Sequence, residues 1–175
     1  PELRAALEEA AAGIADFHRT QVVANHTYER NGIVVEGRKV PVDRAGCYVP
    51  GGRAIYPSTV LMTAIPAKVA GVPEVVLCVP PDKTGHVPPV TLAAAAIAGV
   101  SEVYAVGGAQ AVGAMAYGTE TIRPVDVIVG PGSSTIALST LDEIVSSGTL
   151  ACSPTASALA LDGFPDAGLF FRAEQ

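Results

Sequence analysis

Tryptophan is absent from this chain, and aromatic residues of all kinds make up only 5% of it. A core without large rings must be filled by aliphatic side chains, and apolar residues reach 49% of the sequence. That is too apolar for a disordered segment and points to an Ala/Val-rich α/β interior. Cysteine is equally scarce. Cys47, Cys78 and Cys152 are odd in number and widely spaced, with no C-x-x-C pair and no Cys/His pair at metal-binding spacing. They read as buried thiols of a reducing cytoplasm, not as a disulfide framework. Basic residues are outnumbered, and the net charge of −6 argues against a nucleic-acid partner. Long apolar runs are missing too. The most apolar stretch, 91–100, suits one buried helix and is too short for a membrane span. The first residues are Glu- and Ala-rich, unlike a basic leader followed by an apolar segment. The expectation is a cytoplasmic protein with no membrane partner.

At 175 residues the chain suits one domain, or one and a fraction. Residues 1–28 read as a helix, because Leu3, Leu7, Ala10, Ala11, Ile14 and Phe17 recur on one stripe. Asn31-Gly32 is a hairpin dipeptide. Residues 33–36 and 38–42 alternate as strands about a further turn expected at Gly37. From Cys47 the rhythm becomes strand, turn, helix. Strands are expected at 47–49, 74–79, 102–106 and 125–129, and helices at 57–70, 89–98, 109–117 and about 134–146. Near-continuous Val/Ile strands alternating with helices imply a doubly wound parallel sheet, Rossmann-like, covered on both faces. The tail reads as a turn and strand over 150–162 and a helix over 166–175. Three parts follow: an N-terminal helix and β arm at 1–46, the α/β domain at 47–149, and a strand–helix piece of a partial second domain at 150–175.

Three strand–glycine–helix junctions carry the functional signal. They are Tyr48-Val49-Pro50-Gly51-Gly52, Val106-Gly107-Gly108-Ala109-Gln110, and Val129-Gly130-Pro131-Gly132-Ser133. Each places backbone N–H groups and a positive helix end at the edge of a sheet, where open α/β folds bind anionic ligands such as dinucleotides. Glycine permits close backbone approach, and the Gln110 amide can bind ribose or phosphate oxygens. Tyr48 can stack on or hydrogen-bond a nucleotide; it also suits an ordinary amphipathic strand. Ser133, with Ser134, is equally an acceptable helix N-cap.

From YVPGG and YPSTVLM, through IPAKVAGV, VVLCVPP, VYAVGGAQAV and YGTETI, to VDVIVGPG, residues 46–132 resemble the histidinol dehydrogenase family. The resemblance implies NAD-dependent oxidation of an amino alcohol, L-histidinol to L-histidine in histidine biosynthesis, with a zinc ion holding the substrate alcohol. It assigns cofactor contacts to Tyr48 and Gln110, and to Ser133 where the family usually carries Asn. It also implies an intertwined homodimer, with the first helix and the β arm packed on a second copy, and a small-molecule substrate.

The tail departs from that pattern. The family has a segment like LAGPSE and later QAEH, whose Gln and His bind zinc. Here Leu150-Ala151-Cys152-Ser153-Pro154-Thr155-Ala156 stands for the first, with Ala156 in place of the acid. Phe171-Arg172-Ala173-Glu174-Gln175 stands for the second, so Arg172 and Gln175 fall at the positions of the zinc ligands. A guanidinium has no lone pair for a metal. Zinc is therefore not expected on this chain. The family's Glu–His pair lies beyond residue 175, and His18, His26 and His86 are expected to be non-catalytic. The chain reads as a truncated or divergent dehydrogenase of this type. The alternative is a homologue without dehydrogenase chemistry: a pseudoenzyme, a binding module or an enzyme recruited to another reaction.

Overall fold

The computed structural model describes residues 2–51, 54–131 and 171–174. In chain order the elements are α1 (Glu2–Arg19), β1 (His26–Arg30), β2 (Ile33–Pro41), β3 (Arg44–Tyr48), α2 (Pro57–Ala70), β4 (Glu74–Cys78), α3 (Pro89–Ile97), β5 (Glu102–Tyr104), α4 (Ala109–Tyr117), β6 (Val127–Val129) and β7 (Phe171–Glu174). Four of the strands form an all-parallel sheet in the order β5-β4-β3-β6. Successive side chains on a strand face opposite ways. Ala45, Cys47, Val49, Val75, Leu77, Val79, Val127 and Val129 therefore join one core cluster with α1, α2 and α3. Tyr48, Val76, Cys78 and Ile128 join a second cluster with Ala111, Val112 and Met115 of α4. Helices thus cover both faces, which makes this the doubly wound α/β architecture that the alternating sequence predicts.

Helix α2 is apolar almost all round because it lies between the sheet and the α1–α3 layer. Pro57 stands in its first turn, where a missing N–H costs nothing. Gly71, at φ +93°, ends it by donating its N–H back to the carbonyls of Ala67 and Lys68. Helix α1 has a core within its own chain. Leu7 is buried, and Ala11, Ile14 and Ala15 pack against the same cluster as α2 and α3.

The N-terminal edge of the sheet is fastened by charge. Arg44, 6% exposed, opens β3; Glu74 opens β4 and Glu102 opens β5. The Arg44 guanidinium pairs with Glu74 and, at 2.6 Å, with Glu102. Arg123, from the α4–β6 connection, reaches the same two carboxylates at 2.7 and 3.4 Å. The Tyr104 hydroxyl lies 2.7 Å from Glu102 and 2.9 Å from the Thr121 carbonyl. Below β6, the Asp126 carboxylate accepts the N–H groups of Asp43 and Arg44 at 3.0 and 2.8 Å.

The N-terminal arm differs from expectation in two places. Helix α1 ends at Arg19, well before Tyr28, because Thr20 turns its hydroxyl and N–H onto the Phe17 carbonyl and the following residues extend into β1. Gly37 is not a turn. β2 runs straight through it, paired to His26 of β1, whose imidazole lies where a Cβ would sit, 2.1 Å from that position. The glycine leaves room for the ring. The turn that does form is Asn31-Gly32, both at positive φ (52° and 77°), as a two-residue hairpin requires.

The tail also needs correction. Phe171–Glu174, expected within a helix over 166–175, is strand β7, antiparallel to Arg38–Pro41 of β2. An uninterrupted β2 offers a free edge beyond Gly37, and the tail pairs with it. The helix expected near 134–146 and the strand expected at 150–162 lie outside the described residues. Among the described residues no helix is long and apolar enough to cross a membrane.

The Arg44 cluster sets the acid limit of stability. Hydrogen bonds from Arg44 and then Tyr104 hold the Glu102 carboxyl down at about 2. The free-chain value is about 4.3. A carboxyl depressed on folding stabilises above its unfolded value and loses that contribution as pH falls through the folded one. The urea midpoint is therefore expected to drop steeply between about pH 4.5 and 2.5. Glu102→Gln should lower the midpoint at neutral pH and flatten the acid limb. Equal acid limbs in the two proteins would contradict this role.

Candidate functional site

The order β5-β4-β3-β6 contains one reversal. The chain steps outward from β3 to β4 to β5, then returns across the sheet to place β6 on the other side of β3. The connection from β3 runs through α2 to β4 on one side, and the connection from β5 returns through α4 to β6 on the other. The strand order thus switches between β3 and β6, and in open α/β sheets the carboxyl ends at such a switch flank the ligand crevice. All three glycine junctions lie along that edge.

Tyr48 closes β3. Its ring is 6% exposed and packs beneath α4 with Ala111, Val112 and Met115, so it is core and not a stacking platform. Its hydroxyl is the part that reaches the edge. It accepts the N–H of Gly108 at 3.1 Å. Gly108 stands at the N-cap of α4 with φ +76° and ψ −172°, a conformation that side chains rarely adopt. The first N–H groups of a helix have no carbonyl one turn back, so the start of α4 presents donors to the crevice. Gln110 is exposed, and its side-chain oxygen lies 2.7 Å from the place of a Cβ on Gly108. The amide thus folds back over the helix start.

The glycines make room chiefly for the protein itself. A Cβ on Gly130 would lie 2.1 Å from the Tyr48 carbonyl oxygen, so the exit of β6 runs directly against the end of β3. A Cβ on Gly107 would lie 2.3 Å from Pro80 Cγ, and one on Gly51 3.0 Å from Pro80 Cβ. Three junctions therefore converge through two residues, Tyr48 and Pro80. Gly52, Gly132 and Ser133 lie outside the described residues.

Pro80 escaped the sequence reading, although a proline directly after the Val-rich strand β4 was a signal. Arg44 escaped as well. Its signal was a charge at the mouth of an otherwise apolar strand.

The remaining candidates sit elsewhere. Arg172 is in β7, paired with Val40 in the other sheet, and Gln175 lies outside the described residues. His18 is buried in α1, with Nδ1 2.5 Å from the Gln21 side-chain oxygen. His26 covers Gly37, and His86 lies in the β4–α3 loop, 3.2 Å from the Thr84 hydroxyl. Among the described residues no group of three His, Cys, Asp or Glu side chains is placed to hold a metal. Burial pushes the Cys47 thiol up to about 12 and the Cys78 thiol up to about 11, so neither is a nucleophile near neutral pH.

Residues 1–149 match the histidinol dehydrogenase family. The chain is 58% identical over 134 residues to a histidinol dehydrogenase of Methanothermobacter thermautotrophicus, covering 76% of this chain and 32% of that protein. It is 57% identical over 136 residues to that of Symbiobacterium thermophilum, covering 77% and 31%. In structure it is similar to the crystallised histidinol dehydrogenase of Elizabethkingia anophelis, with a TM-score of 0.77 and 38% identity over 86% of this chain and 35% of that one. The chain thus spans about a third of the length of these relatives. The match extends through the whole parallel sheet and stops short of Arg172 and Gln175. By sequence over most of its length, and by fold, the chain belongs to the histidinol dehydrogenase family.

Proposed function

We propose that this chain supplies the NAD-binding part of a histidinol dehydrogenase, which oxidises the amino alcohol L-histidinol to L-histidine. One observation carries the reading. The reversal of strand order at β3 brings Tyr48, the start of α4 and Gly130 together at the carboxyl edge of the sheet, the usual place of a dinucleotide in open α/β folds. NAD, when bound, accepts the hydride. The chain's own residues bind and orient. The N–H groups at the start of α4 and its positive end favour the anionic pyrophosphate. The Tyr48 hydroxyl accepts from Gly108 and keeps its own hydrogen for an acceptor on the ligand. The Gln110 amide, over the helix start, offers both a donor and an acceptor. Ser133 stands where the family usually has Asn, so one or two hydrogen bonds of about 1 kcal/mol each are lost and affinity falls roughly fivefold to thirtyfold. The described residues supply no donor set for zinc, and no step here uses one.

A second reading is a homologue that binds nucleotide without dehydrogenase chemistry. The stretch after residue 149 favours it, because it lies outside the family match and carries Arg172, a side chain without a lone pair for a metal, on a strand.

Calorimetric titration of NAD into the purified chain tests the nucleotide reading. Binding below millimolar concentration is expected, weakened about fivefold by Gln110→Ala or by Tyr48→Phe. Absence of heat up to millimolar NAD, or unchanged affinity in both variants, would sink it.

We also propose that the arm formed by β1 and β2 packs on a second copy of the chain. Tyr28, Ile33, Val34 and Val35 are each more than half exposed on both faces of that hairpin. A small β1-β2-β7 sheet with these apolar side chains in water leaves its hydrophobic surface uncovered. Sedimentation at micromolar concentration should show a dimer, and Val34→Glu with Val35→Lys should shift it toward monomer. A wild-type monomer would contradict the proposal.

A further inference from the structure

We propose that Pro80 is a positioning residue that sets the separation of the Gly51 and Gly107 turns, and with it the place of the α4 start beside Tyr48. Its ligand-binding half rests on the NAD reading above.

The warrant begins with the backbone ladder. Val49 N–H donates to the Cys78 carbonyl at 3.0 Å, and Val79 N–H donates to the Tyr104 carbonyl at 3.1 Å. The sheet therefore continues one residue past β3 and β4. Pro80 comes next in the middle strand and has no N–H to extend it. The ladder stops there, and the two flanking chains are free to part. Side-chain packing decides how far they part. The pyrrolidine ring fills the gap on both sides. A Cβ on Gly51 would meet its Cβ, Cγ and Cδ at 3.0, 3.2 and 3.3 Å, and a Cβ on Gly107 would meet its Cγ, Cβ and Cα at 2.3, 2.7 and 3.0 Å.

One rigid ring thus touches the exit of β3 and the entry to α4. Proline fixes its own φ and adds no side-chain rotamers, so it acts as a spacer of set size. The contact also explains why Gly107 is glycine although no positive φ requires it. The adjoining Gly108 N–H donates to the Tyr48 hydroxyl, so a shift of the Gly107 turn moves that hydroxyl contact and the start of α4 with it. Pro80 acts through these turns and need not touch a ligand.

The test is a double-mutant cycle on the full chain with Gly107→Ala and Pro80→Gly. NAD affinity is read by calorimetry and folding by thermal midpoint. Gly107→Ala alone should weaken NAD at least tenfold and lower the midpoint. Pro80→Gly alone should weaken NAD about threefold, since the turns lose their spacer. The double variant should bind within twofold of Pro80→Gly, because the methyl group now occupies the space the ring has left. A double variant as weak as the product of the two single effects would overturn the proposal, and so would unchanged affinity in Gly107→Ala. If the wild-type chain shows no NAD binding, the nucleotide reading fails on its own. The midpoints of the same four proteins then decide the spacer: recovery in the double variant supports it, and additivity overturns it. If Gly107→Ala does not fold, Gly51→Ala replaces it. Its contacts of 3.0–3.3 Å ask for a smaller shift and should show the same recovery with Pro80→Gly.

Discussion

A buried arginine holds the parallel sheet together at one end. Parallel strands that enter side by side bring their first residues to one edge, and here those residues are Arg44, Glu74 and Glu102. Burying Arg44 is costly unless its donors are matched, and its Nε has no partner. Two carboxylates repay most of that cost, and each also meets Arg123 from the α4–β6 connection. The network therefore ties three strands to the segment that carries the chain back across the sheet. Without that return β6 would not lie beside β3, and the crevice would not form. This charge cluster stands at the opposite end of the strands from the glycine junctions.

The opposite edge is built from different materials. It carries short turns, glycines, the prolines Pro50, Pro80, Pro81 and Pro131, and the Tyr48 hydroxyl. Glycine at such junctions is easily read as space for a ligand. The neighbours of Gly51, Gly107 and Gly130 are instead Pro80 and the Tyr48 carbonyl. Close packing of the protein on itself comes first: the Pro80 ring against the backbone at Gly51 and Gly107, and backbone against backbone at Gly130. This division suits a site whose ligand must enter and leave. The locked edge supplies rigidity, and the turns supply donors.

β4 and β6 were legible because they are buried and rich in Val and Ile, whereas β3, Arg-Ala-Gly-Cys-Tyr, was recognised only at its carboxyl end. α2 and α4 begin and end where proline and glycine predict. The arm was less legible. Gly37 looked like a turn because a strand glycine and a turn glycine are the same letter, and only the His26 ring across the hairpin distinguishes them. The tail failed for a related reason. Phe171–Glu174 has a composition that suits either state, and the free edge of β2 decided the outcome. Tyr48 and Gln110 were singled out by their place at strand–glycine–helix junctions and by resemblance, whereas the signals of Pro80 and Arg44, a proline after a strand and a charge before one, gain meaning only from their three-dimensional neighbours.

The sheet has a structural edge at Arg44, Glu74 and Glu102 and a proposed binding edge at the glycine junctions, and hydrogen exchange with and without NAD tests that division directly. At saturating NAD the account predicts slower amide exchange at 48–51, 107–111 and 129–131, with no change at 43–45, 74–76 and 101–103. Protection confined to the second set, or to the helix and arm at 2–41, would contradict it.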